Sequence, residues 1–282
     1  MKIGVDIGGT NLLVGIVENG KVLKRNHQPI AARSNFDLVS MQVCDAIREI
    51  AGNDISSVGI SVAGSVDVER GVVLRAQNLD WNDSPLADFV SQELDCKVTI
   101  ENDVTAAAWG EFKYGAGRCS ESMFAVWIGT GIGGGLILDG EVWRGPLGTG
   151  GEFGMGISEF NPDSPTRVLE SFASRSGFQQ MLKHSDVDIK SLAKVYGTDE
   201  SITNLINAGA ERIGTSIANV ITLLSLDIVV LGGGLIETLG KDYIQVIRKQ
   251  FEQDVFPKHC LQCQFKTTEL GPDAGLLGAT FS

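Results

Sequence analysis

The chain opens on an apolar, β-rich run over residues 2–7, breaks at Gly8-Gly9-Thr10-Asn11, and resumes as an apolar run over 12–17. It turns again at Glu18-Asn19-Gly20 and continues over 21–28. Short apolar runs divided by glycine and asparagine turns predict an antiparallel meander of three strands. Phe36, Val39, Ile47 and Ile50 then recur at helical spacing, which predicts a helix over 36–51 that stops near Gly52. A strand is expected at 57–62, followed by Ala63-Gly64-Ser65. A helix is expected at 84–94 with Pro85 in its first turn, where its missing N–H is no loss. A further strand at 97–100 leads through Glu101-Asn102-Asp103 into a helix over 104–112.

The second half restates the first. Strands are expected at 123–128 and 136–138, around a glycine-rich turn over 129–135, with Asp139-Gly140 as the next turn. At an offset of 120 residues Gly9 meets Gly129, Thr10 meets Thr130, Gly15 meets Gly135, Asn19-Gly20 meets Asp139-Gly140, and Val22 meets Val142. A repeat this long is no solenoid unit; it predicts two homologous lobes, each opening with a glycine-turn hairpin. Beyond it come a polar, proline-bearing stretch over 158–166, helices over 167–184, 188–196 and 200–224, and a buried-type strand over 227–231 ending in Gly232-Gly233-Gly234. A helix over 241–251 and a small-residue helix over 273–279 close the chain. No low-complexity linker divides the halves, so the lobes are expected to pack directly around a central cleft.

Composition sharpens this picture. The 282 residues include 35 glycines, against roughly 20 for a chain of average usage. With 43% hydrophobic residues the chain is no disordered linker, so the glycines must serve turns and close backbone approaches. The net charge of −12 argues against nucleic-acid and anionic-membrane partners. It leaves room for a small phosphorylated ligand, because backbone dipoles bind phosphate on acidic proteins too. The first residues enter a strand directly, without the shape of a signal peptide, and no long apolar run follows, so a soluble, cytoplasmic chain is expected. The five scattered cysteines fit free thiols in a reducing compartment. Cys260-Leu-Gln-Cys263 beside His259 resembles half a metal site, but no second half is spaced for it, and ordinary thiols are the simpler reading.

Three glycine-rich turns follow apolar strands: Asp6-Ile-Gly-Gly-Thr-Asn11, Gly129-Thr-Gly-Ile-Gly-Gly-Gly135 and Leu231-Gly-Gly-Gly234. Glycine lets backbone N–H groups converge on an oxyanion, and Thr10 and Thr130 each add a hydroxyl. One such turn could simply need positive φ; two related by a repeat, with a third, point to phosphate. Gly129 to Gly134 matches G-x-G-x-x-G, but a strand rather than a helix follows, which argues against a dinucleotide fingerprint, and no P-loop motif is present. Asp103, between a strand and a helix beside Asn102, is either a functional carboxylate or a helix cap. Glu152 lies in a glycine-rich loop and Glu170 on a helix, where a solvated charge is the alternative for each.

These motifs, in this order, resemble the ROK family (repressors, open reading frames, sugar kinases): Asp6-Ile-Gly-Gly-Thr10, Glu101-Asn-Asp103 with Ala106-Ala-Ala108 and Gly110-Glu111, Gly129-Thr-Gly131 with Gly133-Gly-Gly135, Gly151-Glu-Phe-Gly154 and Leu231-Gly-Gly-Gly234. The resemblance covers essentially the whole chain. It implies an α/β, two-lobed actin/hexokinase-like ATPase fold with ribonuclease H-like duplicated lobes around a cleft. A small lobe would comprise 1–110 with 271–282 returning to it, and a large lobe 111–270. It implies ATP- and magnesium-dependent, glucokinase-like phosphorylation of a hexose, usually at the 6-hydroxyl. Carried over by motif, Asp103 would be the catalytic base, ionised at an ordinary pKa of about 4. Gly64, Asn78, Asn102, Glu152 and Glu170 would contact the sugar. Asp6 would help hold magnesium through water or phosphate. Gly8, Gly9, Thr10, Asn11, Gly129, Thr130 and Gly131 would hold the phosphates, and Gly232, Gly233 and Gly234 would lie near the adenosine. Family members are often dimers, so a homodimer is an expectation of the resemblance.

The chain departs from the family pattern in two respects. Where many members carry a histidine after the Glu-x-Gly motif and then a zinc-binding cysteine cluster, this sequence has Met155 and neither cysteine nor histidine up to Glu170. Methionine is a poor zinc ligand, so no zinc is expected, and one family contact to the sugar is missing. A sugar-responsive repressor of the same family would need a helix-turn-helix ahead of the first strand, where Met1 opens the strand directly. A non-catalytic sugar- and ATP-binding regulator is the remaining alternative.

Overall fold

The computed structural model describes residues 1–30, 35–52, 54–183 and 191–280. These divide into two compact units: one of Met1–Cys119, Gly135–Gly150 and the chain from Thr268 onward, the other of Ser120–Gly134 and Gly151–Thr267. The first unit runs past the expected limit at 110 and also takes in 135–150, which the sequence reading assigned to the large lobe.

The expected meander opens the first unit as β1 (Lys2–Ile7), β2 (Asn11–Glu18) and β3 (Lys21–Pro29). Helix α1 (Phe36–Ala51) follows, its first turn capped by Asn35 Oδ1, which accepts from Asp37 N at 2.8 Å. Next come β4 (Ser57–Val62), β5 (Ser65–Asp67), β6 (Val72–Ala76), β7 (Trp81–Ser84), α2 (Leu86–Leu94), β8 (Lys97–Asn102) and α3 (Asp103–Tyr114). The main sheet has the order β3-β2-β1-β4-β8, with β4 parallel to both β1 and β8. Alternation decides its faces. Ile3, Val5, Ile7, Ile60 and Val62 join Val39, Val43 and Ile47 of α1 in one buried cluster. The other face is covered by α9 (Asp273–Ala279), which also packs on α3. Buried Glu111 ties this returning segment down: its carboxylate accepts from Ala116 N at 2.7 Å and Leu270 N at 2.9 Å.

The sequence pattern missed the small sheet β5-β6-β7. Its strands are three to five residues long and carry Asp, Asn or Arg among their apolar positions, so none shows the alternation or the longer apolar run that marks a strand. Ser84, expected in a helix, belongs to β7, and Pro85 stands at the N-cap of α2 rather than inside it.

In the second unit β9 (Met123–Ile128) leads through a turn into β10 (Ile132–Leu138), which passes into the first unit and pairs there with β11 (Glu141–Val142). The glycine-rich turn is therefore only 129–131, not 129–135. Gly134 stays in the strand because Phe124 and Phe153 leave no room for a side chain, a Cβ there lying 2.9 Å from Phe153 Cβ. The helix expected over 167–184 is broken into α4 (Glu170–Ala173) and α5 (Arg175–Met181) by extended Ser174, whose Oγ caps α5 by accepting from Gly177 N at 3.0 Å. Residue 184 lies outside the described residues, as do 188–190 of the next expected helix, of which α6 (Leu192–Val195) is seen. Helix α7 (Glu200–Leu224) stands where expected, capped by Asp199. Strand β12 (Ile228–Gly232) is parallel to β9 and to β13 (Gln264–Thr267). Between them α8 (Gly234–Asp254) begins seven residues earlier than expected and kinks at Gly240. Among the described residues no helix is long and apolar enough to cross a membrane.

Candidate functional site

The expected residues of the first unit converge at the ends of β1, β4 and β8. Asn102 ends β8 and caps α3: its Oδ1 accepts from Thr105 N at 3.0 Å. Its amide nitrogen donates to Gly64 O at 3.1 Å and to Asp103 Oδ1 at 3.0 Å. The helix cap and the functional reading thus hold together, with Asn102 as the cap and Asp103 as the residue it orients. Asp6 lies opposite Ser61 in the parallel pairing of β1 and β4, and Ser61 Oγ donates to Asp6 Oδ1 at 2.8 Å. Burial pushes the Asp6 carboxyl above its ordinary range. It pushes Asp103 up to about 7, helped by the neighbouring Asp6 charge and opposed by hydrogen bonds from the α3 backbone and Asn102. The ordinary value expected from sequence is thereby corrected: two carboxylates sharing a desolvated place cannot both ionise freely.

Gly8, Gly9, Thr10 and Asn11 form the hairpin turn between β1 and β2, closed by Gly8 N donating to Asn11 O at 2.9 Å. A Cβ at Gly9 would lie 2.9 Å from Asn78 Cβ, so the turn and the Asn78 loop touch. Of the sugar and phosphate residues expected in this unit, Asp6, Gly64, Asn102 and Asp103 form one hydrogen-bonded and electrostatic cluster, and the Gly8–Asn11 turn sits on Asn78.

In the second unit the 129–131 turn is pinned by its neighbours. Gly129 O accepts from Arg175 N at 2.9 Å and Thr130 O from Ser176 N at 3.1 Å. Glu170 Oε2 accepts from Ile132 N at 2.7 Å, and a side chain at Gly131 would collide with that carboxylate. Glu170 is thus half-buried against the glycine turn, not on a solvated helix face. Glu152 is exposed, just ahead of a one-turn 3-10 segment, Phe153–Met155, and Met155 is 48% exposed. Gly233 takes φ 93° and lies against the Ile128 backbone, a place closed to any side chain, and Gly234 starts α8. Sequence reasoning missed Arg175. Its backbone N–H bonds the 129–131 turn, and its Nη2 lies 3.0 Å from where a Cβ on Gly234 would stand, which sets a guanidinium beside the 232–234 turn. Spacing alone gave no sign of it, because the break at Ser174 that aims it carries neither glycine nor proline.

Among the described residues no group of three or more His, Cys, Asp or Glu could hold a metal ion. Cys260 and Cys263 are free, half-buried thiols, and burial pushes Cys263 up to about 12. A cavity of about 330 Å³ in the first unit borders Glu101, Ala106, Trp109 and Arg144. None of the expected sugar or nucleotide residues lines it.

A hairpin turning on glycines with strands parallel beyond it, set out twice along the chain, and carboxylates at the strand ends of the first unit define a two-lobed α/β ATPase fold of the actin/hexokinase kind. The chain belongs to the ROK family, whose model matches residues 2–281. It is 31% identical over 304 positions to a glucokinase of Thermotoga maritima, covering 98% of this chain and 95% of that one. It is 29% identical to an N-acetylmannosamine kinase of Vibrio cholerae, covering 99% and 98%. Among solved structures it resembles a ROK family glucokinase from Streptomyces griseus in complex with glucose and AMPPNP, with TM-score 0.84, 29% identity and coverage of 99% and 98%.

Proposed function

We propose that the protein is an ATP-dependent hexose kinase that transfers the terminal phosphoryl group of ATP to a sugar hydroxyl, with the 6-hydroxyl of glucose or a related hexose as acceptor. The observation that carries this reading is Asp103: a carboxylate at the first turn of α3, oriented by Asn102 and raised to about 7 beside Asp6. A base works best with a pKa near the operating pH, where it is largely ionised yet still basic enough to accept a proton. The glucokinase and N-acetylmannosamine kinase relatives support the same reaction class.

In the proposed reaction the sugar oxygen attacks the terminal phosphorus, the bond from that phosphorus to the bridging oxygen of ADP breaks, and the hydroxyl proton passes to Asp103. Such a transition state is loose, so positioning and charge neutralisation supply most of the catalysis. Asn102, Gly64, Asn78, Glu152 and Glu170 hold the sugar. Carboxylates and amides discriminate well, because a sugar lacking the matching hydroxyl leaves them unpaired. The turns at Gly8–Asn11 and Gly129–Gly131 face the phosphates with backbone N–H groups, Arg175 adds a cation, and Gly232–Gly234 borders the adenosine. Asp6 fits magnesium: one buried carboxylate, completed by waters and phosphate oxygens, is a common way to hold this ion. When bound, magnesium neutralises charge on the phosphates. Met155, a thioether where many relatives carry an imidazole, offers no N–H to a sugar hydroxyl, which points to altered sugar preference. The same residue favours, as a second reading, a non-catalytic binder.

The test is purified protein with ATP, magnesium and a panel of glucose, mannose, allose, fructose, N-acetylmannosamine and N-acetylglucosamine. Sugar-dependent ADP release, abolished in Asp103→Asn, is expected. Sugar binding by calorimetry with no ADP release would replace the kinase by the regulator.

A further inference from the structure

We infer that Arg144 and Glu101 form a positioning pair for the phosphoryl-transfer base, fixing the junction from which Asp103 projects; this rests on the kinase reading above. Glu101 is 3% exposed, yet it is a carboxylate. Its Oε1 accepts from Asn102 N at 2.9 Å. Its Oε2 accepts from Arg144 Nε at 2.9 Å and also meets Arg144 Nη2. Asn102 in turn donates from its side chain to Asp103 Oδ1 and Gly64 O. An unbroken run of contacts therefore links Arg144, through Glu101 and Asn102, to Asp103.

The chemistry at each link is informative. A charged acceptor makes a shorter, stronger bond to a backbone N–H than a neutral one, and it is set here on the residue that precedes the base. A buried carboxylate is costly without a cation, and an apolar residue of similar volume would fill the place at no such cost. Arg144 meets that need. It comes from the segment after β11, and its own carbonyl accepts from Gly150 N at 2.8 Å, so a closed loop holds the backbone from which the side chain reaches Glu101. Both residues border the cavity beside Trp109, the Arg144 side chain 34% exposed and that of Glu101 only 4%. Of the groups placed in sugar and nucleotide binding, Glu101 bonds to the backbone of Asn102, so the pair acts on Asp103 through that residue.

Three variants test this against wild type, each measured for kcat, for the KM of sugar and of ATP, and for thermal melting. Glu101→Leu combined with Arg144→Met removes the acceptor for Asn102 N without stranding a charge. It should keep a melting temperature near wild type while kcat falls by roughly 10- to 100-fold, the scale expected of a small misplacement of a catalytic group. The KM for ATP should stay within about threefold, while that for the sugar, which Asn102 also contacts in the kinase reading, should rise several-fold. Arg144→Met alone should lose kcat similarly and also melt earlier. Arg144→Lys, which keeps the charge, should recover part of that kcat. Wild-type turnover in the double variant, or equal turnover in wild type, Arg144→Met and Arg144→Lys, would overturn the inference and leave the kinase reading standing. Absence of sugar-dependent turnover in wild type would overturn the kinase reading itself, and this inference with it.

Discussion

The Asp103 carboxyl stands beside Asp6 in a desolvated place, which lifts it to about 7. Motif order and a strand-to-helix junction pointed to it, whereas the rise of its carboxyl to about 7 depends on burial and on Asp6, nearly a hundred residues earlier in the chain. The consequence for pH is definite. A base acts ionised, so kcat/KM should fall about tenfold per unit as pH drops below about 7, and level off above it. A pH–rate profile from 5 to 9 checks this; an acid limb near 4 would contradict it. Stability runs the other way. The folded state holds its proton more tightly than the unfolded chain, so this group's stabilising effect is present below about 4 and is lost as pH rises toward 7. Asp103→Asn should therefore melt higher than wild type at pH 8, with the gap narrowing toward pH 4. Arg175 carries a separate expectation. Losing a charge-assisted contact to phosphate weakens binding on the order of tenfold, so Arg175→Ala should raise the KM for ATP by about that factor and leave the sugar KM unchanged in steady-state assays.

Elements were legible where period and punctuation agreed. The meander β1-β2-β3, α1, α7 and α9 all sit where apolar spacing and turn residues put them. They failed where tertiary contact overrides local pattern. The strands β5, β6 and β7 lack alternation, and the break between α4 and α5 is made by a serine that gains a cap on the far side. Gly134 and Gly135 of β10 read as turn formers but serve close packing. Close packing also governs α9. A Cβ on Gly278 would collide with the Ala106 carbonyl of α3. Gly278→Ala should therefore cost about 1–3 kcal/mol by overpacking. Gly140→Ala, at φ 78° in open space, should cost about 1–2 kcal/mol from backbone strain alone. Urea unfolding of both variants measures the difference; Gly278→Ala behaving as wild type would remove this account of the packing.

The offset of 120 residues seen in the sequence is the trace of two sheets built alike: a glycine-turn hairpin, then parallel strands beyond its first strand. That repeat made the architecture readable from a single chain. It could not reveal that 135–150 would cluster with the first unit, since that follows from contacts such as Arg144 with Glu101 and not from any local pattern. Net charge shapes the chemistry as well. In the proposed reaction a chain of −12 would meet a nucleoside triphosphate through backbone amides, Arg175 and a divalent cation, which offset the repulsion. Excess EDTA should abolish turnover and magnesium should restore it, as followed by ADP release. Underlying all of this is the proposal that Asp103 accepts a sugar proton during phosphoryl transfer. Phosphorus NMR of the protein with ATP, magnesium and each hexose in turn observes that transfer. A growing sugar-phosphate signal matched by ADP, present with wild type and lost by about a thousandfold or more in rate with Asp103→Asn, is the result expected; no sugar phosphate with any hexose, or equal rates for the two proteins, would contradict it.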